Sequence, residues 1–372
     1  MLRRLNRQFK AFMRKKRIEV SRAIWDKWNG NTPLTDNDLI VDHNIRSILF
    51  IRADGKIGDM IISTFMFREI KEIFVGIKIG VVTKGGAKDI IEDDPYIDKI
   101  YDYGNSLRSI RKLAHEIKKE KYDLVMEFYE EIKPKELMFI CLCGARFNMG
   151  LNKKNWPLFN LSVDGDKDFQ MNEHISFRYI AFLEKLGIKK ELIDTSYGIF
   201  FDADRAEKIK QLRKKYNSGK TVILNPYGAS KHRSFNRDTI KKILNGSNDH
   251  KVILLYNGKE KYQEVKEIAA EYKNVDVPDG IETIMDSAMY IRISDLVISP
   301  DTSIIHLAAA FNIDIIGVYE YNGGTLGHGH IVWGPHRDNA VLIFARQRTS
   351  TYDDFDLNNF DFDELRKKLE EK

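Results

Sequence analysis

Hydrophobic residues recur at intervals of three and four along the first 28 residues of the chain. The apolar positions are Leu2, Leu5, Phe9, Phe12, Met13, Val20, Ile24 and Trp28. This spacing places apolar side chains on one face of a helix and the intervening basic residues on the other. The segment is therefore predicted to form an amphipathic helix, with its apolar stripe against either a membrane or the body of the protein.

From residue 46 onwards, short apolar runs alternate with amphipathic stretches. The runs predict buried strands at Ser47–Arg52, Lys78–Val82, Leu124–Phe128, Thr221–Asn225, Lys251–Tyr256, Asp295–Ser299 and Ile313–Tyr319. Helices are predicted near Met60–Phe74 and Leu107–Lys119. Strands that alternate with helices in this way are typical of a parallel sheet.

The strand and helix pattern occurs twice, separated by the polar segment Asp202–Lys220. A chain of 372 residues is also longer than a single hydrophobic core usually supports. We therefore predict an α/β fold of two doubly wound, Rossmann-like domains that face a central cleft. The predicted parts are a basic extension (1–45), a first domain (46–205), a second domain (206–350) and a C-terminal helical segment (351–372).

Positive charge is concentrated at the N-terminus. Residues 1–30 contain ten Lys or Arg and two acidic residues, a net charge of +8, whereas the whole chain carries +5. Anionic headgroups attract basic residues by about 1 kcal/mol each, so an anionic membrane surface is the expected partner of residues 1–30. No nucleic-acid motif accompanies this segment, and nucleic acid is not an expected partner.

Apolar runs are too short to cross a bilayer, which needs about 18 residues. The basic N-terminus is not followed by the apolar region of a signal peptide. Cys141 and Cys143 have the spacing of neither a zinc pair nor a redox motif. We therefore expect a cytoplasmic protein, peripheral on the inner membrane.

The first loop with candidate chemistry, Ala53–Asp59, joins a predicted strand to the helix expected at Met60. Gly55 and Gly58 allow the backbone to approach a ligand, and Asp59 is expected at the mouth of the cleft. The Asp59 carboxylate suits either a helix N-cap or a catalytic group. The loop has neither the dinucleotide fingerprint nor the Walker A context.

Two further loops offer groups that bind anions. Ser230 and Lys231 follow the strand Thr221–Asn225 and suit a phosphate or diphosphate, or they lie on an ordinary charged surface. The segment Asp301–His306 follows another strand and begins a helix. The free N–H groups of Thr302 and Ser303 and the side chain of His306, one turn later, would face the same ligand, or would simply form a capped helix.

Two weaker signals lie elsewhere. Glu260 follows a strand and suits the hydroxyls of a ribose, or a solvated loop. The glycine-rich loop 322–335 and the residue that follows it contain His328, His330 and His336. No acidic or cysteine cluster accompanies these histidines, so a loop that closes over substrate is favoured over a metal site. No metal or other cofactor is expected.

Three segments together resemble the heptosyltransferases of lipopolysaccharide core assembly, glycosyltransferase family 9. They are Ile48–Asp59 (ILFIRADGKIGD), Leu224–Arg233 (LNPYGASKHR) and Asp295–Ala310 (DLVISPDTSIIHLAAA). The resemblance covers residues 46–335 and leaves the N-terminal extension outside. It implies the two-domain GT-B fold and transfer of a heptose from ADP-heptose, with inversion, to the lipid A-Kdo inner core of lipopolysaccharide or lipooligosaccharide.

The resemblance also implies roles for particular residues. Asp59 matches the catalytic aspartate of the family, which takes a proton from the acceptor hydroxyl. The residues that match donor contacts are Ser230 and Lys231 near the diphosphate, Glu260 near the ribose, and Asp301, Thr302, Ser303 and His306 near the sugar and phosphates. The chain departs from the family at Ser303, where many members have Gly, and at Ser234-Phe235, where Trp-Pro often follows the basic pair.

Other functions are compatible with this fold. A GT-B transferase of another nucleotide sugar or a nucleotide-sugar epimerase would have the same two domains. A non-catalytic scaffold at the membrane is the alternative from a different class. Both Asp59 and Lys231 are present, which favours an enzyme over a scaffold.

Overall fold

A computed structural model describes residues 2–27, 30, 34, 38–228, 230–320, 329–345 and 356–372. These residues contain two parallel six-stranded sheets. The first sheet contains β1 (Ser47–Ile51), β2 (Lys78–Thr83), β3 (Lys99–Asp102), β4 (Leu124–Glu127), β5 (Phe147–Leu151) and β6 (Leu161–Val163). The second contains β7 (Thr221–Leu224), β8 (Lys251–Leu254), β9 (Val275–Asp276), β10 (Leu296–Pro300), β11 (Asp314–Glu320) and β12 (Ala340–Ala345).

Helices flank both sheets. In the first half they are α1 (Leu2–Trp25), α2 (Leu39–Asp42), α3 (Ile57–Ile73), α4 (Gly86–Asp89), α5 (Leu107–Glu120), α6 (Pro134–Cys143) and α7 (Ile175–Lys185). In the second they are α8 (Ala203–Lys215), α9 (Arg237–Asn245), α10 (Gly258–Ala269), α11 (Ile284–Ile291), α12 (Ser303–Ala310), α13 (Gly329–Trp333) and α14 (Phe362–Glu371). Two short 3₁₀ helices cover Lys190–Leu192 and Lys231–Arg233.

The two sheets have the same topology. Strand order is β3-β2-β1-β4-β5-β6 in the first and β12-β11-β10-β7-β8-β9 in the second. In both, the order of connection reverses between two central strands, β1 and β4 or β7 and β10. Loops that follow the central strands therefore open a crevice at the carboxyl edge, where ligands bind in doubly wound sheets. The predicted fold class is confirmed.

Strand composition explains why these segments are central. All residues of β4 and β7 are buried, and Ile48–Ile51 of β1 are fully covered. Strands that carry helices on both faces need continuous apolar runs rather than alternation. The predicted strands mostly extend one or two residues too far, because Arg52, Phe128, Asn225 and Tyr256 already belong to the loops.

The N-terminal helix α1 packs on the first domain through a face that differs from the predicted stripe. Ile18 and Trp25 pack against the cluster around α5 and α6, and the Ser21 hydroxyl donates to the carbonyl of Pro134 at 3.3 Å. Arg22 lies over the ring of Trp156 at 4.0 Å. The helix is therefore attached through its C-terminal half.

The predicted apolar stripe of α1 stays largely exposed. Phe9, Phe12, Val20 and Ile24 are between 48% and 62% exposed. The side chains of Leu2 and Leu5 and the whole of Trp28 lie outside the described residues. Within the part of the chain that the structure describes, no helix is both long enough and apolar enough to span a membrane.

The polar segment Asp202–Lys220, which is predicted to separate the two domains, is mostly helical. Residues 203–215 form α8, capped by the side chain of Asp202, so the predicted division between residues 205 and 206 falls inside a helix. The last helix, α14, buries Leu365 and Leu369 in the core of the second domain. The predicted domain limits stay predictions.

Candidate active site between the two domains

The loop after β1 carries Asp59 into the cleft. Gly55 adopts a left-handed conformation with φ of 70°, and the chain then enters α3 at Ile57. Lys56 is the N-cap, so Asp59 occupies the third position of the helix. Asp59 is therefore not the capping residue, a role that a helix beginning at Met60 would have given it. The Asp59 carboxylate lies 3.6 Å from the Lys56 ammonium and is 15% exposed.

Two contacts hold the Asp59 loop from below. The buried guanidinium of Arg52 donates to the carbonyl oxygen of Asp59 at 2.6 Å and to the Tyr179 hydroxyl at 2.8 Å. The Tyr129 hydroxyl accepts a hydrogen bond from the amide of Asp54 at 3.0 Å. Tyr179 lies in α7 and Tyr129 follows β4, so other parts of the first domain position the loop before any ligand binds.

Burial controls the protonation of Asp59. It raises the pKa of the Asp59 carboxyl above its ordinary value, while the positive charges of Arg52 and Lys56 oppose this increase. A carboxyl group with a raised pKa is a stronger base when ionised, which suits proton transfer.

The second domain contributes the N-terminus of α12. Thr302 is the N-cap, and its hydroxyl oxygen accepts a hydrogen bond from the amide of Ile304 at 3.3 Å. The same hydroxyl contacts Ser299 at 3.1 Å and the side-chain amide of Asn225 at 3.3 Å. These contacts tie the loops after β7 and β10 together and aim the first N–H groups of α12 at the cleft, where they favour an anion.

His306 and Gly58 bring the two domains into contact. A side-chain carbon built on Gly58 would lie 2.8 Å from Cδ2 of His306, so only glycine allows this approach. Burial lowers the pKa of His306 to about 4, and its Nδ1 has no hydrogen-bond partner among the described residues. His306 is therefore a neutral imidazole, with one ring nitrogen that donates a hydrogen bond and one that accepts.

Asp301 lines the site together with three neighbours, Arg233, Glu320 and Tyr319. Burial raises the pKa of Asp301 to about 6, and the charge of Arg233 opposes this increase. The Arg233 guanidinium lies 3.7 Å from the Glu320 carboxylate. The buried Tyr319 hydroxyl has no partner within the described part of the chain. These groups offer a sugar both acceptors and donors.

The groups line one cavity of about 440 Å³ between the domains. Asp59 and Lys56 lie on the side of the first domain, and Asp301, Thr302, Ser303 and His306 on the side of the second. Trp333 contributes an aromatic wall, and its ring lies 5.6 Å from the Lys56 ammonium. A base therefore faces an anion site across a space large enough for a sugar.

A second cavity of about 630 Å³ continues from Thr302 and Ser303 to the loops after β7 and β8, and Gly58 and Asp89 of the first domain also line it. Its walls include the aromatic rings of Tyr227 and Tyr256 and the carboxyl group of Glu282. Rings and a carboxylate beside an anion site suit a nucleoside, whose base stacks and whose ribose hydroxyls donate.

Comparison with known proteins identifies the family. Residues 110–353 match the sequence pattern described as glycosyltransferase family 9 (heptosyltransferase). The chain belongs to this family. It is a glycosyltransferase.

Individual relatives support the same assignment. The chain is 23% identical over 326 residues to an Escherichia coli K12 protein provisionally named lipopolysaccharide heptosyltransferase 4, and the match covers 83% of this chain and 84% of that protein. A solved family 9 glycosyltransferase from Veillonella parvula is similar with a TM-score of 0.71 and 15% identity, covering 92% of this chain and 98% of that one.

The E. coli heptosyltransferase WaaC, solved with ADP, has a similar fold. Its TM-score is 0.67 with 15% identity, covering 87% of this chain and 99% of WaaC. WaaC has also been solved with ADP-2-deoxy-2-fluoro heptose. These structures confirm the two-domain fold of this glycosyltransferase.

The structure brings together five of the eight predicted site residues: Asp59, Asp301, Thr302, Ser303 and His306. The other three, Ser230, Lys231 and Glu260, line a neighbouring cavity of about 910 Å³. Tyr227, Gly228 and Asn257 lie between them and the nucleoside-sized cavity, since they line both. These three residues are therefore separated from the cavity that contains Asp301, and their roles as donor contacts stay predictions.

A short helix determines which cation of this loop reaches the main cavity. Residues 231–233 form a 3₁₀ helix that leaves Lys231 exposed and turns Arg233 into the cavity. Ser234 fixes this turn, because its hydroxyl accepts from the amide of Gly228 at 3.0 Å and donates to the carbonyl of Ser230 at 2.8 Å. The departure from the family pattern at Ser234 thus has a structural role.

Several residues at the site were not predicted. Tyr319, Glu320, Glu282 and Trp333 lack a local motif, and only the fold brings them to the cleft. Lys56 lies within the segment Ile48–Asp59, but the sequence assigned it no role. The three histidines in and directly after the glycine-rich loop have different positions. His328 lies outside the described residues, and His330 lines the main cavity. His336 stacks on His174, with their ring centroids 4.6 Å apart. Among the described residues, no cluster of three His, Cys, Asp or Glu is placed to hold a metal.

Proposed function

We propose that this glycosyltransferase transfers a heptose from ADP-heptose to the inner core of lipopolysaccharide or lipooligosaccharide, with inversion at the anomeric carbon. The observation that carries the proposal is the cavity in which Asp59 faces the N-terminus of α12. The relatives named for lipopolysaccharide heptose transfer, and the WaaC complexes with ADP and an ADP-heptose analogue, support the choice of donor and acceptor.

In this mechanism Asp59 is the general base. Its ionised carboxylate takes the proton of an acceptor hydroxyl as that oxygen attacks the anomeric carbon from the side opposite the leaving diphosphate. One displacement of this kind inverts the anomeric configuration. The positive charge of Lys56 favours the ionised form of Asp59, because it opposes the increase in pKa that burial causes.

The donor lies on the second domain. The amides at the start of α12 and the guanidinium of Arg233 stabilise the negative charge that develops on the leaving diphosphate. Asp301, ionised above about pH 6, and neutral His306 accept or donate hydrogen bonds at the sugar hydroxyls. The nucleoside occupies the cavity lined by Tyr227, Tyr256 and Glu282. The scheme needs neither a metal nor another cofactor.

The enzyme acts as a peripheral protein on the cytoplasmic face of the inner membrane in this proposal. The exposed face of α1 supports it, since Phe9, Phe12, Val20 and Ile24 are accompanied by basic residues. A helix of this composition lies in the interface of an anionic bilayer.

The first experiment measures acceptor-dependent release of ADP from ADP-heptose with heptose-deficient lipopolysaccharide, with UDP- and GDP-sugars as parallel donors. Asp59→Asn should lower transfer at least 1,000-fold, because the amide accepts no proton, while ADP affinity stays within about threefold. The anomeric configuration of the product, read by NMR, tests inversion.

Asp54→Asn is the matched control, since Asp54 lies in the same loop but lines neither cavity. It should keep transfer within about fivefold of wild type. Near-normal turnover by Asp59→Asn would exclude Asp59 as the base. Reaction with only a UDP- or GDP-sugar would exclude the heptose donor, and absence of any nucleotide binding would favour the scaffold.

A further inference from the structure

A large pocket lies between α1 and the first domain, apart from the cleft. Its volume is about 880 Å³, and it is enclosed by the N-terminal half of α1, the residues that precede α5, and the first turn of α6. Its inner wall is apolar and includes Phe9, Met13, Tyr103, Ile110 and Pro134. Tyr103 and Ile110 are buried core residues, so this part of the wall belongs to the body of the domain, whereas Phe9 and Met13 belong to α1.

The rim of the pocket is cationic. Six basic side chains line it: Lys10, Arg14, Arg17, Lys84, Lys133 and Lys135. One carboxylate lines it, that of Glu136, which already accepts hydrogen bonds from the amide and ammonium of Lys133. Arg14 pairs with Glu131 at 2.8 Å. An apolar wall with an excess of positive charge at its rim fits a hydrocarbon chain that ends in an anionic group.

The pocket opens at the same edge of the sheet as the Asp59 loop. Lys84 follows β2 and Tyr103 follows β3, so both lie at carboxyl ends of strands. Lys84 also packs against the Asp59 loop, since a side-chain carbon on Gly55 would lie 2.9 Å from both Cγ and the carbonyl oxygen of Lys84. A ligand in the pocket is therefore separated from that loop by one side chain.

The outer face of α1 supplies a route from a membrane. Phe12, Val20 and Ile24 are exposed, and Phe9 belongs both to this face and to the pocket wall. A helix that rests in the interface through these residues would place the mouth of the pocket at headgroup depth. The occupant can thus be an amphiphile that stays partly in the bilayer.

We propose that this pocket binds the lipid anchor of the acceptor, an acylated and phosphate-bearing glycolipid, with an acyl chain along Met13 and Ile110 and a phosphate near Arg17 and Lys10. This proposal rests on the proposed function for the identity of the acceptor. It gives α1 a role in substrate selection as well as in attachment to the membrane.

Two matched pairs of variants test the pocket. Met13→Trp fills it and Met13→Leu does not; Arg17→Glu reverses a rim charge, whereas Lys15→Glu makes the same change two residues away, outside the pocket. Transfer is measured with the acylated acceptor in neutral detergent micelles and with its deacylated form. Binding of monomeric dodecyl phosphate is measured by calorimetry, beside inorganic phosphate and dodecyl maltoside.

Wild-type enzyme should show a KM at least tenfold lower for the acylated acceptor. Met13→Trp should abolish this preference, and Met13→Leu should keep it. Arg17→Glu should raise the KM for the acylated acceptor at least fivefold, and Lys15→Glu less than twofold. Dodecyl phosphate should bind wild type more tightly than phosphate or dodecyl maltoside, and Met13→Trp and Arg17→Glu should weaken it at least fivefold.

The outcomes separate the two proposals. One outcome is that no sugar is transferred to any glycolipid, although the variants weaken the binding of dodecyl phosphate as expected. The proposed function then fails, and the ligand class assigned to the pocket stands. If transfer occurs and Met13→Trp keeps the wild-type preference, the pocket assignment is overturned. Competition by phosphatidylglycerol as strong as that by the acylated acceptor would assign the pocket to a membrane phospholipid and overturn the acceptor assignment.

Discussion

Burial, Arg52 and Lys56 together influence the pH at which the proposed base Asp59 is ionised. Burial raises the pKa of Asp59, and the ammonium of Lys56 at 3.6 Å lowers it. Since a base acts only when ionised, transfer should fall as the pH decreases through the pKa of Asp59. Lys56→Met removes the positive charge and should move the acid limb of the kcat/KM profile to higher pH.

Lys56→Arg is the control for this prediction, because it keeps the charge and should leave the acid limb near its wild-type position. The measurement is kcat/KM for the acceptor between pH 5 and 9 at saturating donor. An acid limb that stays in place in Lys56→Met would show that Lys56 does not control the ionisation of Asp59.

A buried carboxyl outside the site predicts how stability depends on pH. Asp94 is 6% exposed, and one of its oxygens has no partner in the described part of the chain. Burial raises the pKa of Asp94 to about 7 from an ordinary value of 3.8. The wild-type protein therefore loses stability as the pH increases from about 4 to about 7, because folding then requires an ionised carboxylate to be buried.

Asp94→Asn should remove this loss. An amide does not titrate, so its contribution is the same at every pH, and the variant should gain on the order of 2 kcal/mol relative to wild type between pH 5 and pH 8. Urea denaturation of both proteins at the two pH values measures the difference. A difference that stays constant between these pH values would contradict the raised pKa of Asp94.

At the scale of elements, the contact between α3 and α12 sets the width of the cleft. Gly58 lies in the first turn of α3 and faces the His306 ring of α12. Gly58→Ala places a methyl group 2.8 Å from that ring, so the His306 ring or the helix that carries it must shift. A displacement of about 1 Å between reacting groups can cost about 100-fold in rate, and we expect kcat to fall 10- to 100-fold.

Gly246→Ala is a suitable comparison, since the nearest atom to its added methyl lies at 3.5 Å. It should keep wild-type kcat. Steady-state kinetics with thermal denaturation separates the effect on the cleft from an effect on folding. Wild-type kcat in a folded Gly58→Ala variant would show that the cleft tolerates the wider spacing.

A buried ion pair also helps to position the Asp59 loop. Glu127 at the end of β4 and Lys153 after β5 are both fully covered and lie 3.2 Å apart. Glu127 accepts from the amide of Tyr129 at 2.7 Å, and Lys153 donates to the carbonyl of Tyr129 at 2.7 Å. The pair thereby fixes the residue whose hydroxyl holds the Asp54 amide, and links two strands to the Asp59 loop.

At the scale of the whole molecule, charge and exposed apolar surface lie together on α1. We predict that the protein binds vesicles containing phosphatidylglycerol more tightly than neutral vesicles, and that salt weakens this binding by screening. Phe12→Asp and Val20→Asp should each lower vesicle binding at least fivefold, because a carboxylate opposes insertion at the anionic surface.

Val75→Asp is the control for adding a carboxylate at an exposed valine, because Val75 is 87% exposed but lies after α3 and not on α1. Sedimentation with vesicles in low and high salt measures the binding. Equal binding by Phe12→Asp, Val20→Asp and wild type would exclude the exposed face of α1 as the membrane contact.

The sequence alone determined the fold class and most of the site. Seven strands were predictable because buried parallel strands are continuous apolar runs, such as Val222–Leu224. Strands β3, β5, β6, β9 and β12 were not predicted. Short or partly polar runs such as Lys99–Asp102 lack a distinctive period, whereas β12 is a continuous apolar run that the same rule would have found. Asp59 and the Asp301–His306 segment were predictable because the loop that leads to Asp59, and the Asp301–His306 segment itself, begin directly after a buried strand.

Only the tertiary structure decided which neighbouring groups meet. Arg233 and Lys231 are equivalent cations in the sequence, and a 3₁₀ helix turns Arg233 into the cavity and leaves Lys231 exposed. Likewise, α1 has two possible apolar faces, and packing against α6 used Ile18 and Trp25, leaving Phe9 and Phe12 outside. Local periodicity records which segments can bury apolar surface, whereas contacts between residues distant in the chain, such as Gly58 and His306, depend on how the sheets and helices pack.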